Sequence, residues 1–319
     1  MPPEPHSIVR LARPITGPGV TRTAASIMLG VMVSTARDSA GWTQKFLAGR
    51  AHVSTPTVCR LETAEAKVEP RTVEQIIQVL PIDASERETM IVLLERSTEP
   101  EWFQQRFADV TPDYLQRLLG MESMAVHLVT YDVRLVCGLL QTHQYTEAVI
   151  RTGLHLNEQN GDELELRLQQ RLERQRRVLD QPDPPQCTFL MDESVLRRRV
   201  GPDDVMREQM QFLREAADRP RVSIRFVPLD RPLAGNEASM AGSMAELKFG
   251  RGGLPDFIYT EGYLKADYLS KPVQTARDRT QKIMEFERHQ QLLLRLQGEA
   301  CASLTESRKL LDDAIRWFR

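Results

Sequence analysis

The residues best suited to bind a charged polymer lie in one short stretch of the N-terminal third. Ser54, Thr55, Pro56, Thr57 and Arg60 follow one another there. Hydroxyl groups can bond phosphate oxygens, and a guanidinium can bond the O6 and N7 atoms of one guanine together. This combination is the chemistry of a surface that enters a groove of DNA.

The first of two short helices is predicted to begin just before this stretch. Thr43 is a helix-capping residue type, and Phe46, Leu47 and Ala51 recur after it at helical spacing. The pattern therefore predicts a helix from Gln44 to about Ala51, with these apolar side chains facing a core.

The second helix is predicted to begin at Ser54. Ser54 is again a capping residue type, and Pro56 falls in the first turn, where a missing amide hydrogen costs little. Val58 and Leu61 are three residues apart and face inward with Val53. The positions left facing outward are Thr55, Pro56, Cys59 and Arg60, flanked by Thr57.

Three more amphipathic helices are predicted around this pair. One runs from about Ala25 to Ser39, a second carries the apolar residues of 73–80, and a third carries those of 90–94 after the cap-like Ser85. Five short helices fit a compact bundle.

This region resembles the lambda-repressor-like (Xre) helix-turn-helix family over about residues 25–95. Thr43 and Gln44 match the opening of its second helix, and residues 54–62 match its recognition helix. The family often has a glycine where this chain has Ala64, so the turn after the recognition helix is expected to be built differently. The resemblance implies phosphate contacts from Gln44, Ser54 and Thr57 and base contacts from Thr55, Pro56 and Arg60, and we include Lys45 among the DNA contacts.

The charge of this region favours DNA only mildly. Between Thr21 and Leu80 there are seven basic and five acidic residues, a net charge of +2. So small an excess predicts modest affinity for a single copy, which favours a homodimer on two half-sites. The alternative is a protein-interaction module, because helix-turn-helix bundles also serve in that role.

Length and overall charge predict a small reader attached to a larger body. The chain has 319 residues and a net charge of −2, so two domains are expected and general polyanion binding is not. We predict a flexible N-terminal arm over residues 1–20, a DNA-binding domain over 21–97, and a regulatory and dimerisation domain over 101–319.

The four cysteines, at positions 59, 137, 187 and 301, predict neither a zinc site nor a disulfide framework, because no two are closely spaced. Cys59 is interpreted as a small outward residue, with a redox sensor as the alternative. Residues 1–20 lack the apolar run of a signal peptide, and no segment has the roughly 20 apolar residues that span a membrane. We therefore expect a cytoplasmic protein.

The second part is predicted to be α+β, with a small sheet of about four strands in a mainly α protein. A helical pattern opens at Glu101 and is expected to continue through 121–130, 142–152, 162–179 and 202–217, with a last helical region over about 275–317. Strands are predicted at 186–191, 222–228, 244–249 and 257–260.

The helix over residues 162–179 is dense in charge. Arginines and glutamates alternate along it at three- and four-residue spacing, which is typical of a solvated or interface surface with pairs inside the helix. A basic DNA-binding stripe is the alternative.

The second part resembles the large C-terminal domain of WhiJ-type actinobacterial regulators, also described as Scr1-like antitoxin regulators. Cys137 stands where a proline is usual, and Met244 where an aromatic residue is usual. The resemblance implies a regulator whose gene often neighbours that of a small partner protein. The matching residues are Gly138 to Thr142, Tyr145, Arg171 to Gln175, Asp192, Glu193, Leu196, Arg197, Val200, Gly201, Met206, Gln209, Tyr259, Glu261, Glu306 and Ser307.

Catalysis is not expected. Asp192, Glu193 and Glu261 fall near predicted strand ends, where carboxylates can bind metal or act as bases. However, the chain has no phosphate-binding loop motif, and its histidines show no metal-binding spacing; His127, among apolar residues, is interpreted as a core residue. No cofactor and no metal are predicted.

Three hypotheses follow from the sequence. The first is a homodimeric, DNA-binding transcriptional regulator of operator DNA, whose second domain dimerises and responds to a small-molecule effector. The second is an antitoxin-like protein that binds a small partner protein and autoregulates its operon. The third is an enzyme tethered to DNA.

Overall fold

The computed structural model describes residues 23–64, 66–154, 161–231, 237, 240–250, 253–262, 265–270 and 277–318. The predicted N-terminal arm, residues 1–20, lies outside these ranges, as do residues 275 and 276 of the last helical region. Among the described residues, no helix is long and apolar enough to cross a membrane.

The N-terminal part is a bundle of five helices, as predicted. Its core is formed by fully buried residues from four of them, Met28, Leu47, Val58 and Ile76. Phe46 was expected in this core, but it is 49% exposed and packs edge-on against Trp42. The helices are α1 (Ala24–Ser39), α2 (Gln44–Arg50), α3 (Thr55–Thr63), α4 (Pro70–Val79) and α5 (Ala84–Thr98).

The N-cap of α5 lies two residues before the expected one. Asp83, not Ser85, accepts a hydrogen bond from Glu86 N, and the Glu86 side chain accepts one in return from Asp83 N. This reciprocal capping box satisfies two backbone donors, whereas Ser85 lies within the first turn.

Helices α1 and α3 approach each other at a glycine. A Cβ atom added at Gly30 would lie 2.6 Å from the carbonyl oxygen of Leu61 and 2.7 Å from that of Glu62. Just beyond, Ala64 ends α3 in the left-handed conformation, with φ 50° and ψ 27°. Ala64 thus adopts the conformation that a glycine usually supplies at a helix end, despite the strain on its Cβ.

The second part contains helices on both faces of one sheet. Residues 101–110, expected to be helical, form turns and a short 3-10 helix instead. The last helical region is interrupted by a π-turn over Leu296–Ala300. The helices are α6 (Asp113–Glu122), α7 (His143–Leu154), α8 (Gly161–Leu179), α9 (Ser194–Arg197), α10 (Asp203–Ala216), α11 (Arg277–Arg295) and α12 (Leu304–Trp317).

Over the described residues, the sheet has six strands rather than about four, in the order β3-β2-β1-β4-β5-β6. Strands β1, β2 and β3 are parallel, and β4, β5 and β6 continue the sheet antiparallel. The strands are β1 (His127–Asp132), β2 (Gln186–Asp192), β3 (Val222–Val227), β4 (Met244–Lys248), β5 (Phe257–Glu261) and β6 (Ala266–Ser270).

The two missed strands are β1 and β6. Residues 127–130 were expected to end a helix, but β1 is a central strand with side chains buried on both faces, so it lacks the polar alternation of a half-exposed strand. His127, expected in the core, is exposed at its first position. Strand β6 lies at the edge and is only partly buried, so its apolar signal is weak.

The sheet separates two apolar layers. One face, with Leu128 and Phe189, packs into the large core that also includes the N-terminal bundle. The other face, with Tyr131 and Leu190, packs against Leu293 and its neighbours at the end of α11. Central strands covered on both sides are typical of sheets with parallel pairing.

The connector, residues 99–112 between α5 and α6, is bonded to the first helix. Helix α1 packs against α6 as well as α3 and α5. The Glu101 Oε1 atom accepts a hydrogen bond from Ala24 N, 3.0 Å away, at the start of α1. Burial raises the pKa of the Glu101 carboxyl, and this hydrogen bond opposes the rise. The connector thus contributes to the N-terminus of the bundle.

Replacing Gly30 by alanine is predicted to lower the free energy of unfolding by about 1 to 3 kcal/mol, because backbone carbonyls occupy the space of the new methyl group. Chemical denaturation measures the change. Gly49→Ala is the matched control, since nothing lies within 4 Å of its added Cβ, and it should be neutral or stabilising by up to about 1 kcal/mol. Equal effects of the two substitutions would contradict the close approach of α1 and α3.

Candidate nucleic-acid interface

A buried ion pair positions helix α3. The Arg37 guanidinium on α1 donates through Nε and Nη2 to the two carboxylate oxygens of Glu62 on α3, with Nη2 to Oε2 at 2.8 Å. The two side chains are 8% and 5% exposed. Arg37 also bonds Asp38 and the carbonyl oxygen of Trp42. Chiefly through its hydrogen bond to Glu62, the pKa of Arg37 is raised, so its guanidinium stays charged.

Gln44 belongs to the same network. Its Nε2 atom donates to Glu62 Oε2 at 2.8 Å, and the residue is half-buried. The side chain that the family resemblance assigns to a phosphate therefore has its amide N–H groups turned toward Glu62, between α2 and α3. Lys45, the next residue, is exposed.

The first turn of α3 is organised by hydroxyl groups. Ser54 Oγ accepts from Thr57 N at 3.2 Å, and the two hydroxyls lie 2.8 Å apart in hydrogen-bond contact. Pro56 occupies the first turn, where no partner for its nitrogen is needed. The N-terminus of α3 is thus capped as the sequence predicts.

The outward face of α3 is the predicted one. Val58 and Leu61 are buried, whereas Thr55, Pro56 and Arg60 are exposed. Arg60 Nε donates to Pro56 O at 3.3 Å, so the guanidinium lies beside the first turn of its own helix. Cys59, beside it, is partly exposed as a free thiol.

A groove runs beside this face, and it contains residues that the sequence analysis did not select. Lys67, Glu69 and Thr72, from the turn before α4 and its first residues, line the same groove as Thr57 and Arg60. Lys67 adds a second cation to the groove. The only sequence signal for it was a basic residue just beyond the end of α3.

In the second part, the segment Gly138 to Thr142 is held by side chains from two later helices, Gln175 on α8 and Gln209 on α10. Gln175 Nε2 donates to the carbonyl oxygens of Gly138 and Gln141, at 3.1 and 2.8 Å. Gln209 Oε1 accepts from Thr142 N, and its Nε2 donates to Leu140 O. Residues from three separate segments of the sequence therefore form one buried structure.

Gly138 and Thr142 have distinct local roles. A Cβ atom at Gly138 would overlap the Nη1 atom of Arg171, so the Arg171 guanidinium would have to shift to admit a side chain there. Thr142 Oγ1 accepts from Tyr145 N at 3.4 Å and caps α7, as expected. The Tyr145 hydroxyl is buried and accepts from Val136 N, and burial raises the pKa of Tyr145 to about 12.

Helix α8 contributes two buried arginines beside this structure. Arg174 makes a two-pronged ion pair with Glu122 on α6, at 2.7 and 2.8 Å. Arg171 donates to the amide oxygen of Gln141 at 3.0 Å. Burial, with the neighbouring Arg174 charge, lowers the pKa of Arg171 to about 10. This face of α8 is therefore an interface surface rather than an exposed basic stripe, and Glu163 and Glu173 pair with arginines within the helix, as predicted.

Asp132 lies near these arginines at the end of β1. Burial raises the pKa of its carboxyl to about 7, and the side chains of Thr130 and Cys137 beside it oppose the rise. Asp132 Oδ2 has no hydrogen-bond partner among the described residues. Burial also raises the pKa of the Cys137 thiol well above its ordinary value, so this thiol is not activated as a nucleophile.

The carboxylates proposed near strand ends are not brought together. Asp192 accepts from Ser194 N, and Glu193 accepts from Arg197 and from Leu229 N, which lies 36 residues further along the chain. Glu261 is exposed, and Glu306 forms the capping box of α12 with Ser303. Within the described part of the chain, no group of three or more His, Cys, Asp or Glu side chains could hold a metal ion.

Replacing Glu62 by alanine is predicted to lower the free energy of unfolding by about 3 to 5 kcal/mol, because Arg37 is then buried without its main partner. Replacing both residues by leucine should cost less than Glu62→Ala alone. Thermal and chemical unfolding measure both changes. Glu74→Ala, at an exposed site on α4, should change stability by at most about 0.5 kcal/mol; a similar loss at both sites would argue against the buried pair.

Asp132→Asn is predicted to change how stability depends on pH. The pKa of Asp132 is raised by folding, so its contribution is complete below pH 4 and is lost as the pH rises toward 7. As the pH rises from 4 to 7, the wild type should lose unfolding free energy relative to the variant. The loss should reach up to about 1.4 kcal/mol per pH unit. Denaturation series at several pH values measure it, with exposed Asp109→Asn as control. A constant difference would refute the buried, protonated carboxyl.

Comparison with known families matches two regions of the chain. A model described as a helix-turn-helix domain matches residues 29–90, which contain α2, α3 and the residues of the outward face. A second model, described as a domain of unknown function (DUF5753), matches residues 115–313. No curated protein and no solved structure matches the chain. Since the second model covers more than half of its length, the chain belongs to the DUF5753 family and carries a helix-turn-helix domain before that region.

Proposed function

We propose that this protein is a sequence-specific, DNA-binding transcriptional regulator whose helix α3 enters the major groove. The observation that supports this most strongly is the outward face of α3, where Thr55, Pro56 and Arg60 are exposed on a helix held from behind by a buried ion pair. A rigidly positioned helix with small residues and one arginine suits the width of the major groove.

Each residue has a distinct role in this proposal. Arg60 leaves Pro56 O and reads a guanine through two hydrogen bonds, while Thr55 and Pro56 contact base edges. Lys45 and Lys67, both exposed, neutralise phosphates on either side. Ser54 and Thr57, already at the N-terminus of α3, bond phosphate oxygens. Gln44 already donates to Glu62 from its amide nitrogen, so we assign it mainly to positioning α3.

The protein is proposed to act as a homodimer on two half-sites. The local net charge of +2 is small for a DNA reader, so one copy would bind weakly. A two-fold dimer doubles the contacts and favours a palindromic site. In this proposal the second part of the chain joins the copies, and it responds to an effector or to a small partner protein.

Arg60→Ala is predicted to weaken binding to the preferred site by about 1 to 3 kcal/mol and to relax the preference at one base pair. The site is first obtained by selection from random duplexes and by footprinting on the DNA upstream of the gene. Arg60→Lys keeps the charge but loses the paired hydrogen bonds, so it should lose specificity while keeping most non-specific affinity. Arg151→Ala, at an exposed arginine on α7, is the matched control.

Lys45→Ala is predicted to weaken binding to all sequences alike and to reduce the slope of log affinity against log salt by about 1. Failure of the intact protein to select any sequence would overturn the proposal. The bundle would then be assigned to protein interaction, and co-purification of a small partner would support the antitoxin-like alternative.

A further inference from the structure

A cavity of about 290 Å³ lies behind the α3 helix, between the bundle and the connector. We call it the connector cavity. Its apolar wall comes from α1, α3, α4 and α5, through Leu29, Leu61, Val73 and Leu94. Its other side is formed by residues 97–100 and by Gln104. A cavity of about 150 Å³ with apolar walls is enough to hold benzene, so this one has room for a substituted ring.

Three of the four hydroxyl groups that line the cavity donate to nearby backbone carbonyl groups. Ser26 Oγ donates to Thr23 O, Ser97 Oγ to Leu94 O, and Thr98 Oγ1 to Glu95 O. None of these three donors is therefore available to a molecule in the cavity.

Gln104 differs from them. Its Oε1 atom accepts from Glu101 N at 3.0 Å, which fixes the orientation of the amide. The Nε2 atom at the other end is buried and has no hydrogen-bond partner in the part of the chain that is described. Leaving a buried donor unsatisfied costs about 1 to 3 kcal/mol. The cavity thus combines an apolar wall with one donor that lacks an acceptor.

We propose that the connector cavity binds a small, largely apolar molecule that carries one hydrogen-bond acceptor, such as a carbonyl oxygen, which accepts from Gln104 Nε2. The apolar body of the ligand packs against Leu29, Leu61 and Leu94. Few, well-placed polar groups in an apolar pocket are the usual composition of a small-molecule site.

The same cavity shares a wall with the groove on the DNA-reading side. Lys67 and Val68 line both the cavity and the groove that contains Arg60. Ala64, which ends α3 in the left-handed conformation, also lines the cavity. A ligand that moves this turn moves Lys67 with it, so the site is coupled to DNA affinity. This coupling rests on the proposed function, whereas the site itself does not.

The test uses two probes of nearly equal shape, acetophenone and α-methylstyrene. Acetophenone has a carbonyl oxygen where α-methylstyrene has a methylene group. Each is titrated into the full-length protein without DNA, and the methyl NMR signals of Leu29, Leu61 and Leu94 are followed. Acetophenone should shift these signals saturably, with a dissociation constant about two- to tenfold lower than that of α-methylstyrene, the difference made by one neutral hydrogen bond.

Two variants test separately the hydrogen bond from Gln104 and the volume of the connector cavity. Gln104→Met should make the two dissociation constants equal, while Gln105→Met, at the exposed neighbouring residue, should leave the preference intact. Ala66→Leu, which fills the cavity from a lining position, should abolish binding of both probes while leaving Gln104 in place. No saturable shift, or equal affinities for the wild type, would overturn the site.

A final titration adds the selected DNA. Acetophenone should change the DNA dissociation constant of the wild type and have no effect on Ala66→Leu, and by linkage DNA should change the probe constant by the same factor. A probe that binds without any change in DNA affinity would overturn the coupling but not the site. If the protein selects no DNA sequence, the proposed function fails while the NMR result still decides the site.

Discussion

The ion pair between Arg37 and Glu62 is the interaction on which the position of helix α3 depends. It joins the last turn of α1 to the last turn of α3, and Gln44 completes it from α2. Because both charges are nearly inaccessible to water, neither can be lost without leaving the other buried without its main partner. Gly30 allows the backbone of α1 to approach the carbonyl oxygens of Leu61 and Glu62 on α3. Charge and close contact together fix the angle at which α3 faces outward.

Much of the N-terminal bundle could be predicted because its signals are local. Caps at Thr43 and Ser54 and inward residues such as Val58 give helix positions from a few neighbouring residues. The exposure of Phe46 could not be seen, since packing against Trp42 depends on three-dimensional contact. The role of Glu62 was hidden for the same reason, because its partner lies 25 residues away in the sequence.

The sheet was predicted only in part, for a related reason. Strand β1 is central and buried on both faces, so its residues have no alternating polarity to distinguish them from a helix. The sequence also did not show which carboxylates near strand ends have unusual surroundings. Asp192 and Glu193 accept hydrogen bonds from the backbone N–H groups of Ser194 and Leu229, whereas Asp132, which no motif singled out, lies buried near Arg174. Sequence spacing does not separate a carboxylate that bonds backbone N–H groups from one whose pKa is raised by burial.

The hydrogen bond from Ala24 to Glu101 bears on how the two parts of the chain can be separated or exchanged. The first turn of α1 is completed by a residue that follows the bundle in the chain, so the helix-turn-helix bundle is not a self-contained module that ends with α5. An exchange of second domains with a crossover before residue 101 would transfer all five helices and leave α1 without this partner. A crossover beyond α6, which also packs on α1, would keep the inherited unit whole.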